Sequence, residues 1–218
     1  MPHDDYITLP HPRSTVQPMT SHELSTAQQS MRNMSFAVVD FETTGLNPET
    51  DRIVQLAAVI VNGDGDITDS FDTIVKPESP GEYQHGAEHI HGISAEQVAN
   101  GMPLQTALEK LWGISAGNVF TAHNAQFDLG FLHAESERVG IKDQIEVHID
   151  TLELSRRVSG NDNSRRHNLL ALCEHYGIER DKVHDARSDA TATAQLLMHL
   201  IKELGVEASD QVAELFAP

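Results

Sequence analysis

One stretch constrains the fold of this chain more than any other. The apolar run Phe36–Val39 leads into Asp40 and Glu42, and a Thr-Thr-Gly turn follows. The run is typical of a buried strand, and because side chains alternate along a strand, the two acids project from one face. At roughly 4 to 6 Å apart in a poorly solvated place, they repel each other unless a cation lies between them, and a hard divalent cation suits such oxygen ligands. Taken alone, the pair is more often only a strand end with solvated acids.

The hydropathy pattern predicts three successive strands and then alternating helices and strands. Segment 52–61 is too apolar for an exposed strand, turn residues follow it, and a third strand closes at Pro77. Ser94 and Gln97 have the spacing of a helix capping box. Further strands are expected at 119–122 and 145–149. Helices are expected at 125–139, 150–158, 167–176 and 185–204. The pattern therefore predicts an α/β fold whose sheet has five strands, with helices on both faces.

Composition divides the chain into one domain and two ends. Residues 1–34 contain four prolines and little apolar periodicity, so we expect a disordered N-terminal extension. The domain is expected to span 35–205, with a short C-terminal tail at 206–218. The only cysteine, Cys173, lies among leucines and is predicted to be a core residue of a protein from a reducing compartment. Without a long apolar stretch or a signal peptide, we expect a cytoplasmic protein with no membrane partner.

The distribution of charge restricts the partners that the chain can bind. With 33 acids and 15 bases, its net charge is -18, which disfavours tight binding of phosphates. The segment from Arg156 to Arg187 differs, because it holds seven of the bases against five acids. A locally basic rim on an acidic body is compatible with brief handling of a nucleic-acid end, but not with long-lived duplex binding. An ordinary solvated helix surface is the alternative interpretation.

Two further acids lie at predicted helix starts. Asp128 is in the first turn of the helix that follows the fourth strand, five residues after His123. Asp189 is in the first turn of the last long helix, five residues after His184. Each acid by itself is explained by the favourable interaction of a carboxylate with the N terminus of a helix. Their order along the chain is what makes them informative.

Together, these motifs resemble the DEDDh exonuclease family over about residues 35–204. The family's motifs occur in the family's order: Asp40-x-Glu42, His123-Asn-x-x-Phe-Asp128 and His184-x-Ala-x-x-Asp189. The resemblance is closest to the proofreading group that includes the epsilon subunit of bacterial DNA polymerase III, through the segments Asp40–Leu46 and Ile90–Ile93. Members of the tyrosine type have Tyr four residues before the last acid. This chain has Asp185 there, so the histidine type is indicated.

The resemblance implies a ribonuclease-H-like fold with a mixed sheet and a 3′–5′ exonuclease that hydrolyses terminal phosphodiesters of single-stranded or frayed DNA. It implies two divalent cations, Mg²⁺ or Mn²⁺, which together neutralise the attacking and leaving oxygens. Asp40 is expected to bridge the two cations. Glu42 and Asp189 would hold the cation that activates water, and Asp128 would assist the second. His184 is the expected general base, a role that suits histidine near neutral pH.

The resemblance also assigns a second set of residues to the terminal nucleotide: Thr44, Gly45, Leu46, His123 and Phe127. A tight turn and core packing are the alternative interpretation of this set. The three histidines His85, His89 and His91 have a spacing that could bind zinc, although no cysteine accompanies them. Asp150 with Glu153 resembles a helix-capping pair and is therefore left outside the catalytic set.

Three functional hypotheses stay open from the sequence. The first is a stand-alone exonuclease acting on DNA 3′ ends, in repair or in proofreading beside a polymerase partner. The proofreading subunit continues into a segment that tethers it to the polymerase, whereas about 13 residues follow Gly205 here, so we expect no permanent place in a replicase. The second is an exoribonuclease that trims RNA or degrades oligonucleotides. The third, a non-catalytic binding domain, is disfavoured because all five residues of the catalytic motif are intact.

Overall fold

The computed structural model describes residues 31–78, 84–143, 145–160, 162, 164–206 and 215–216. The strands of the described part are β1 (Ser35–Thr43), β2 (Ile53–Asn62), β3 (Ile67–Lys76), β4 (Met102–Pro103), β5 (Val119–Ala122) and β6 (His148–Asp150). The α-helices are α1 (Glu88–His91), α2 (Ala95–Ala99), α3 (Leu104–Ser115), α4 (Ala125–Arg138), α5 (Thr151–Ser159), α6 (Leu169–Tyr176) and α7 (Ala186–Glu203). A short 3-10 helix, Met31–Asn33, precedes β1.

The strands form one mixed sheet in the order β4-β3-β2-β1-β5-β6. The first three strands are an antiparallel meander, whereas β5 runs parallel to β1 and β6 runs parallel to β5. The α/β class and the five expected strands are confirmed, with the last strand at His148–Asp150 instead of 145–149. The strand count is a correction, because β4 adds a sixth strand that pairs with Val75 and Lys76. A strand of two residues is too short to show an alternating hydropathy pattern in the sequence.

Both faces of the sheet are covered by helices, and β1 lies in the middle. Phe36 and Val38 belong to the core cluster that contains the apolar residues of α7, whereas Val39 and Phe41 belong to the cluster of α3 and α4. The alternation expected for β1 is therefore observed. Every residue of β2 except its last is buried, as its continuous apolar sequence predicts.

Buried residues lie beyond both predicted boundaries of the domain. Met31 and Met34 are 2% and 1% exposed and belong to the core cluster on the α7 side of the sheet. Both methionines thus pack on the domain although they precede its predicted start at residue 35, and the bounds 35–205 stay a prediction. Two methionines among polar residues show no periodicity that could have indicated this packing. Leu215, in the predicted tail, is also buried in this cluster. Residues 1–30, 207–214 and 217–218 lie outside the described part.

Several local predictions are confirmed. The hydroxyl of Ser94 accepts a hydrogen bond from the backbone N–H of Gln97, whose side chain accepts from the N–H of Ser94, so the capping box is complete. Cys173 is buried in the core. Over the described residues, we find no helix that is both long and apolar enough to cross a bilayer.

Candidate active site

The first two acids lie near the end of the central strand β1. Asp40 is opposite Ala57 of β2 and Glu42 is opposite Gln55, and the register shifts only after Glu42. Because the strand is regular up to that point, both acids share the face of Phe36, which is the face covered by α7. Asp40 is half-buried and Glu42 is buried. The predicted common orientation of the pair is therefore confirmed.

Asp128 approaches the same strand from the opposite helical layer. It lies in the first turn of α4, which starts directly after β5, the parallel neighbour of β1. Its side chain is 3% exposed, and its carboxylate accepts a hydrogen bond from the backbone N–H of Phe41. Phe41 stands between the two acids of β1. The start of α4 thus delivers a third carboxylate to the end of the central strand.

His184 and Asp189 complete the cluster from the other layer. His184 is the penultimate residue of the loop 177–185. It has a left-handed backbone, at a φ of 56°, and its side chain is exposed. Asp189 is buried in the first turn of α7, a helix capped by Asp185 through the N–H of Ser188. Ligand atoms of Glu42, His184 and Asp189 all lie within 4.8 Å of one another.

The carboxylates of the cluster raise one another's pKa. Burial raises the pKa of Asp40 well above its ordinary range, and the neighbouring charges of Asp128, Asp189 and Glu42 raise it further. Burial, followed by the charge of Asp189, raises the pKa of Glu42 to about 7. The pKa values of Asp128 and Asp189 are also raised, in both cases mainly by burial. Four acids that resist joint ionisation in this way form a site that a cation would stabilise.

The donor set fits a divalent metal. The carboxylates of Glu42 and Asp189 beside the imidazole of His184, with Asp40 and Asp128 nearby, offer mainly hard oxygen ligands, as Mg²⁺ and Mn²⁺ prefer. The zinc hypothesis for the histidine-rich segment gains no support, because His85, His89 and His91 do not form a close group of ligand atoms among the described residues. His91 instead accepts the N–H of Ile93 through Nδ1, and Nε2 of His85 lies 3.1 Å from Glu88.

Asp150 is a capping residue, and its role is larger than predicted. Its Oδ1 accepts the N–H of Leu152 at 2.9 Å, which caps α5 as expected. The same carboxylate accepts the N–H groups of Asn124 and Ala125 at the start of α4. Glu153 is not part of this cap, since its carboxylate pairs with Arg156.

The predicted nucleotide-binding residues have mixed environments. The hydroxyl of Thr44 accepts the N–H of Arg52, and a Cβ on Gly45 would come within 2.5 Å of Asp51, so both residues serve the turn itself. Leu46 differs, because it is 84% exposed. Gly86 packs so closely that a Cβ would lie 2.4 Å from the carbonyl oxygen of Thr44, which brings the segment before Ile90–Ile93 against this turn.

His123 and Phe127 both have structural contacts. Nδ1 of His123 lies 2.9 Å from the hydroxyl of Thr151, and the ring also hydrogen bonds the backbone of His167. Burial lowers the pKa of His123 to about 4, so the ring is neutral at physiological pH. The ring of Phe127 packs on Phe131 at a centroid distance of 5.0 Å. Contact of either residue with a nucleotide stays a prediction.

Sequence reasoning missed two polar residues that shape the site. Arg180 donates hydrogen bonds from Nε, at 3.0 Å, and from Nη2 to Oδ1 of Asp189. Asp51 accepts the N–H of Asn47 at 2.8 Å and a hydrogen bond from Thr44, and so holds the turn after β1. Neither residue is in a recognisable motif. In the sequence, Arg180 is only one of several bases in the segment 156–187, and no local signal pairs it with Asp189.

Comparison with known proteins agrees with this geometry. An exonuclease family model, RNase_T, matches residues 37–197. The chain is 32% identical over 189 residues to the PolC-type DNA polymerase III of Thermotoga petrophila, a match that covers 85% of this chain and 13% of the polymerase. It is 34% identical over 176 residues to the 3′-5′ exonuclease DinG of Bacillus subtilis, a match that covers 80% of this chain and 18% of DinG. The chain thus spans less than a fifth of the length of these relatives.

Solved structures share the fold at low sequence identity. The nuclease domain of 3′hExo, a DEDDh family member bound to rAMP, superposes with a TM-score of 0.68 at 19% identity, over 80% of this chain and 94% of that domain. Exonuclease I of E. coli in complex with a dT13 oligonucleotide gives a TM-score of 0.68 at 20% identity, over 79% of this chain and 42% of that one. From the matched family model and the curated relatives, this chain belongs to the RNase_T exonuclease family.

Proposed function

We propose that this chain is a DEDDh-type 3′–5′ exonuclease that removes single nucleotides from DNA 3′ ends. The observation that carries the proposal is the grouping of Glu42, His184 and Asp189 within 4.8 Å, beside Asp40 and Asp128. These residues come from β1, α4, α7 and the loop before α7 and meet at one end of the central strand. A carboxylate cluster with one accessible imidazole suits hydrolysis of a phosphodiester.

The four carboxylates of Asp40, Glu42, Asp128 and Asp189 would hold two divalent cations, either Mg²⁺ or Mn²⁺. Such cations, when bound, lower the charge on the attacking and leaving oxygens of the phosphodiester. Asp40, whose pKa is raised by the charges of both Asp128 and Glu42, would serve both cations. The protein contributes a rigid arrangement of ligands, because two of them start helices and two lie on the central strand.

His184 is proposed as the general base. Its imidazole is exposed, so a water molecule at the site can reach it, and a ring nitrogen lies within 4.8 Å of Glu42 and Asp189. The ring would take the proton of the water that attacks the terminal phosphorus. The two neighbouring carboxylates would stabilise the imidazolium that results.

A frayed or single-stranded DNA end is the proposed substrate. The acids are recessed between the starts of α4 and α7, so a nucleotide must leave its stack to reach them. The apolar side chain of Leu46, four residues after Glu42, is exposed and would be free to contact a base. DNA is favoured because PolC-type polymerase and DinG are among the relatives, and because exonuclease X, a fold neighbour, is in complex with duplex DNA.

RNA is the second candidate. The observation that favours RNA is a fold neighbour with a TM-score of 0.69, a 3′-exonuclease that recognises a histone mRNA stem-loop.

Because the relatives include polymerases, we also propose that the chain works beside a polymerase or repair partner. On the sequence grounds given above, we propose that it does so in the cytoplasm.

The proposal is tested with 5′-labelled single-stranded DNA, matched duplex, 3′-mismatched duplex and RNA of one sequence. We expect a ladder that shortens from the 3′ end, faster on single strands and mismatches than on matched duplex, because those ends carry little unpairing cost. The Asp40→Ala variant is the negative control. RNA degraded at least about tenfold faster than DNA would establish the second candidate, and internal cuts would contradict both.

A further inference from the structure

A buried arginine lies within the acidic site. Arg180 donates two hydrogen bonds to a single oxygen, Oδ1 of Asp189. The side chains of the two residues are 7% and 9% exposed. Solvent and salt screen a pair as buried as this much less than a surface pair. Arg180 therefore places a permanent positive charge among the carboxylates.

The charge of Arg180 acts on more than its direct partner. It lowers the pKa of Asp40 and of Glu42, in opposition to the burial and the repulsion that raise them. Lys182 lowers the pKa of Glu42 more than Arg180 does, but its side chain is 61% exposed and lies 3.6 Å from Asp185. Solvent weakens the influence of such an exposed ammonium. Arg180 is thus the buried cation that partly neutralises the cluster.

We propose that Arg180 is an internal counter-cation that competes with a divalent metal for Oδ1 of Asp189 and leaves this oxygen when the metal binds. The inference rests on the proposed function, since it requires Asp189 to be a metal ligand. An oxygen that accepts two hydrogen bonds from a guanidinium has little remaining capacity to coordinate a cation. The guanidinium and the metal would also repel each other at this distance.

The competition has a consequence for the general base. Arg180 belongs to loop 177–185, which also carries His184. The loop is attached to α7 by the Arg180–Asp189 pair and by the N–H of Lys182, which donates to the hydroxyl of Ser188 at 3.2 Å. Release of Asp189 removes the first attachment. Metal binding is therefore expected to loosen one attachment of the segment that carries His184, while the backbone of His184 keeps its own hydrogen bond to Asp189.

Calorimetric titration of Mn²⁺ into the chelator-treated full chain tests the proposal. Without the competing guanidinium, Arg180→Gln should bind Mn²⁺ about tenfold more tightly than the wild type. Without Mn²⁺, the melting temperature of Arg180→Gln should be lower than that of the wild type, because the buried carboxylate of Asp189 has lost its partner. The difference in melting temperature between the two proteins should narrow at saturating Mn²⁺, which supplies the missing positive charge. If the Arg180–Asp189 pair were only structural, Arg180→Gln would instead bind Mn²⁺ more weakly, and its melting temperature would be lowered by the same amount with and without Mn²⁺.

Arg187→Gln is the matched control, because Arg187 is exposed and pairs with Asp72 on β3. Its affinity for Mn²⁺ should equal that of the wild type. Arg180→Lys keeps the charge but cannot donate two forked hydrogen bonds, so its affinity should lie between those of the wild type and Arg180→Gln.

The outcomes separate the two proposals. A wild type that binds no Mn²⁺ overturns the proposed function. A wild type that binds, with Arg180→Gln equal or weaker, overturns only the role of Arg180. Should Arg180→Gln fail to fold, Arg180→Lys decides by the same criterion, since tighter binding supports competition and equal or weaker binding contradicts it.

Discussion

Oδ1 of Asp150 lies 2.9 Å from the backbone nitrogen of Asn124, and Oδ2 lies 3.1 Å from that of Ala125. Asn124 precedes α4 with a left-handed backbone, at a φ of 65°, and Asp128 follows within the first helical turn. The carboxylate at the end of β6 thus fixes the start of the helix that carries a predicted metal ligand. Asp150 is a positioning residue for Asp128.

Asp150→Ala should lower the free energy of unfolding by about 2–4 kcal/mol, because it removes the cap of α5 and leaves two N–H groups of the α4 start without their acceptor. Turnover should fall as well, since Asp128 loses its fixed position. Urea unfolding and a single-strand degradation assay measure the two effects. Glu153→Ala, which removes only an exposed pair with Arg156, should change stability by less than about 1 kcal/mol. Equal effects of the two variants would contradict the positioning role.

The pH dependence of stability should report the raised pKa of Glu42. Between its ordinary pKa of 4.5 and its folded value of about 7, the folded protein binds more protons than the unfolded protein, so this group lowers stability as pH rises. This loss of stability is complete above pH 7 and amounts to at most about 3 kcal/mol. The loss disappears as pH falls towards 4.5.

His123 acts in the opposite direction, because its folded pKa is lowered to about 4 and its protonation in the unfolded chain removes stability as pH falls. The contribution of Glu42 is therefore read as a difference between variants. In chelator, Glu42→Gln should gain stability relative to the wild type as pH rises from 4.5 to about 7 and should keep that gain above. A difference independent of pH would show that the pKa of Glu42 is not raised.

Activity should disappear in chelator and return with Mg²⁺ or Mn²⁺. Asp40→Ala should retain less than about a tenth of wild-type turnover, because the loss of a bridging ligand costs several kcal/mol of transition-state stabilisation. Asp72→Ala, which removes an acid from the partly exposed pair with Arg187, should keep wild-type turnover. Substantial activity in Asp40→Ala would contradict the two-metal assignment.

The base and ligand roles of His184 can be separated. His184→Ala should lower the single-turnover rate by roughly 10² to 10⁴ while metal affinity stays nearly unchanged, because proton acceptance is lost and coordination is not. Calorimetry with Mn²⁺ measures the second quantity. The ring lies within 4.8 Å of two carboxylates, so a ligand role is the clear alternative. Loss of metal binding in this variant would establish it.

Two truncations test where the domain begins. A chain that starts at residue 35 lacks the buried side chains of Met31 and Met34 and the carbonyl of Met34 that accepts the N–H of Gly63. It should be less stable than a chain that starts at residue 31 by about 4 kcal/mol or more. Chemical denaturation measures the difference. Met34→Ala in the full chain should reproduce about half of it, and equal stability of the truncations would mean that these contacts contribute nothing.

Much of the site could be predicted because its signals are local. Asp40 and Glu42 follow an apolar run whose period of two places them on one face, and Asp128 and Asp189 each lie in the first turn of a helix that follows a recognisable turn. The order of these motifs was enough to indicate the family. The strands of the meander and the capping box at Ser94 were predictable for the same reason, since the sequence signal for each lies within ten residues or fewer.

Other features depend on contacts between segments that lie far apart in the sequence and that no hydropathy pattern connects. The sequence by itself determined which acids are present, which local elements carry them and which family they belong to. Only the tertiary structure decided that Arg180 pairs with Asp189, that Asp150 holds the start of α4 and that Met31 packs in the core. These contacts join residues whose local sequence would suit an ordinary loop, cap or tail. Their energy comes from burial and complementary charge, which exist only once the sheet and both helical layers have assembled.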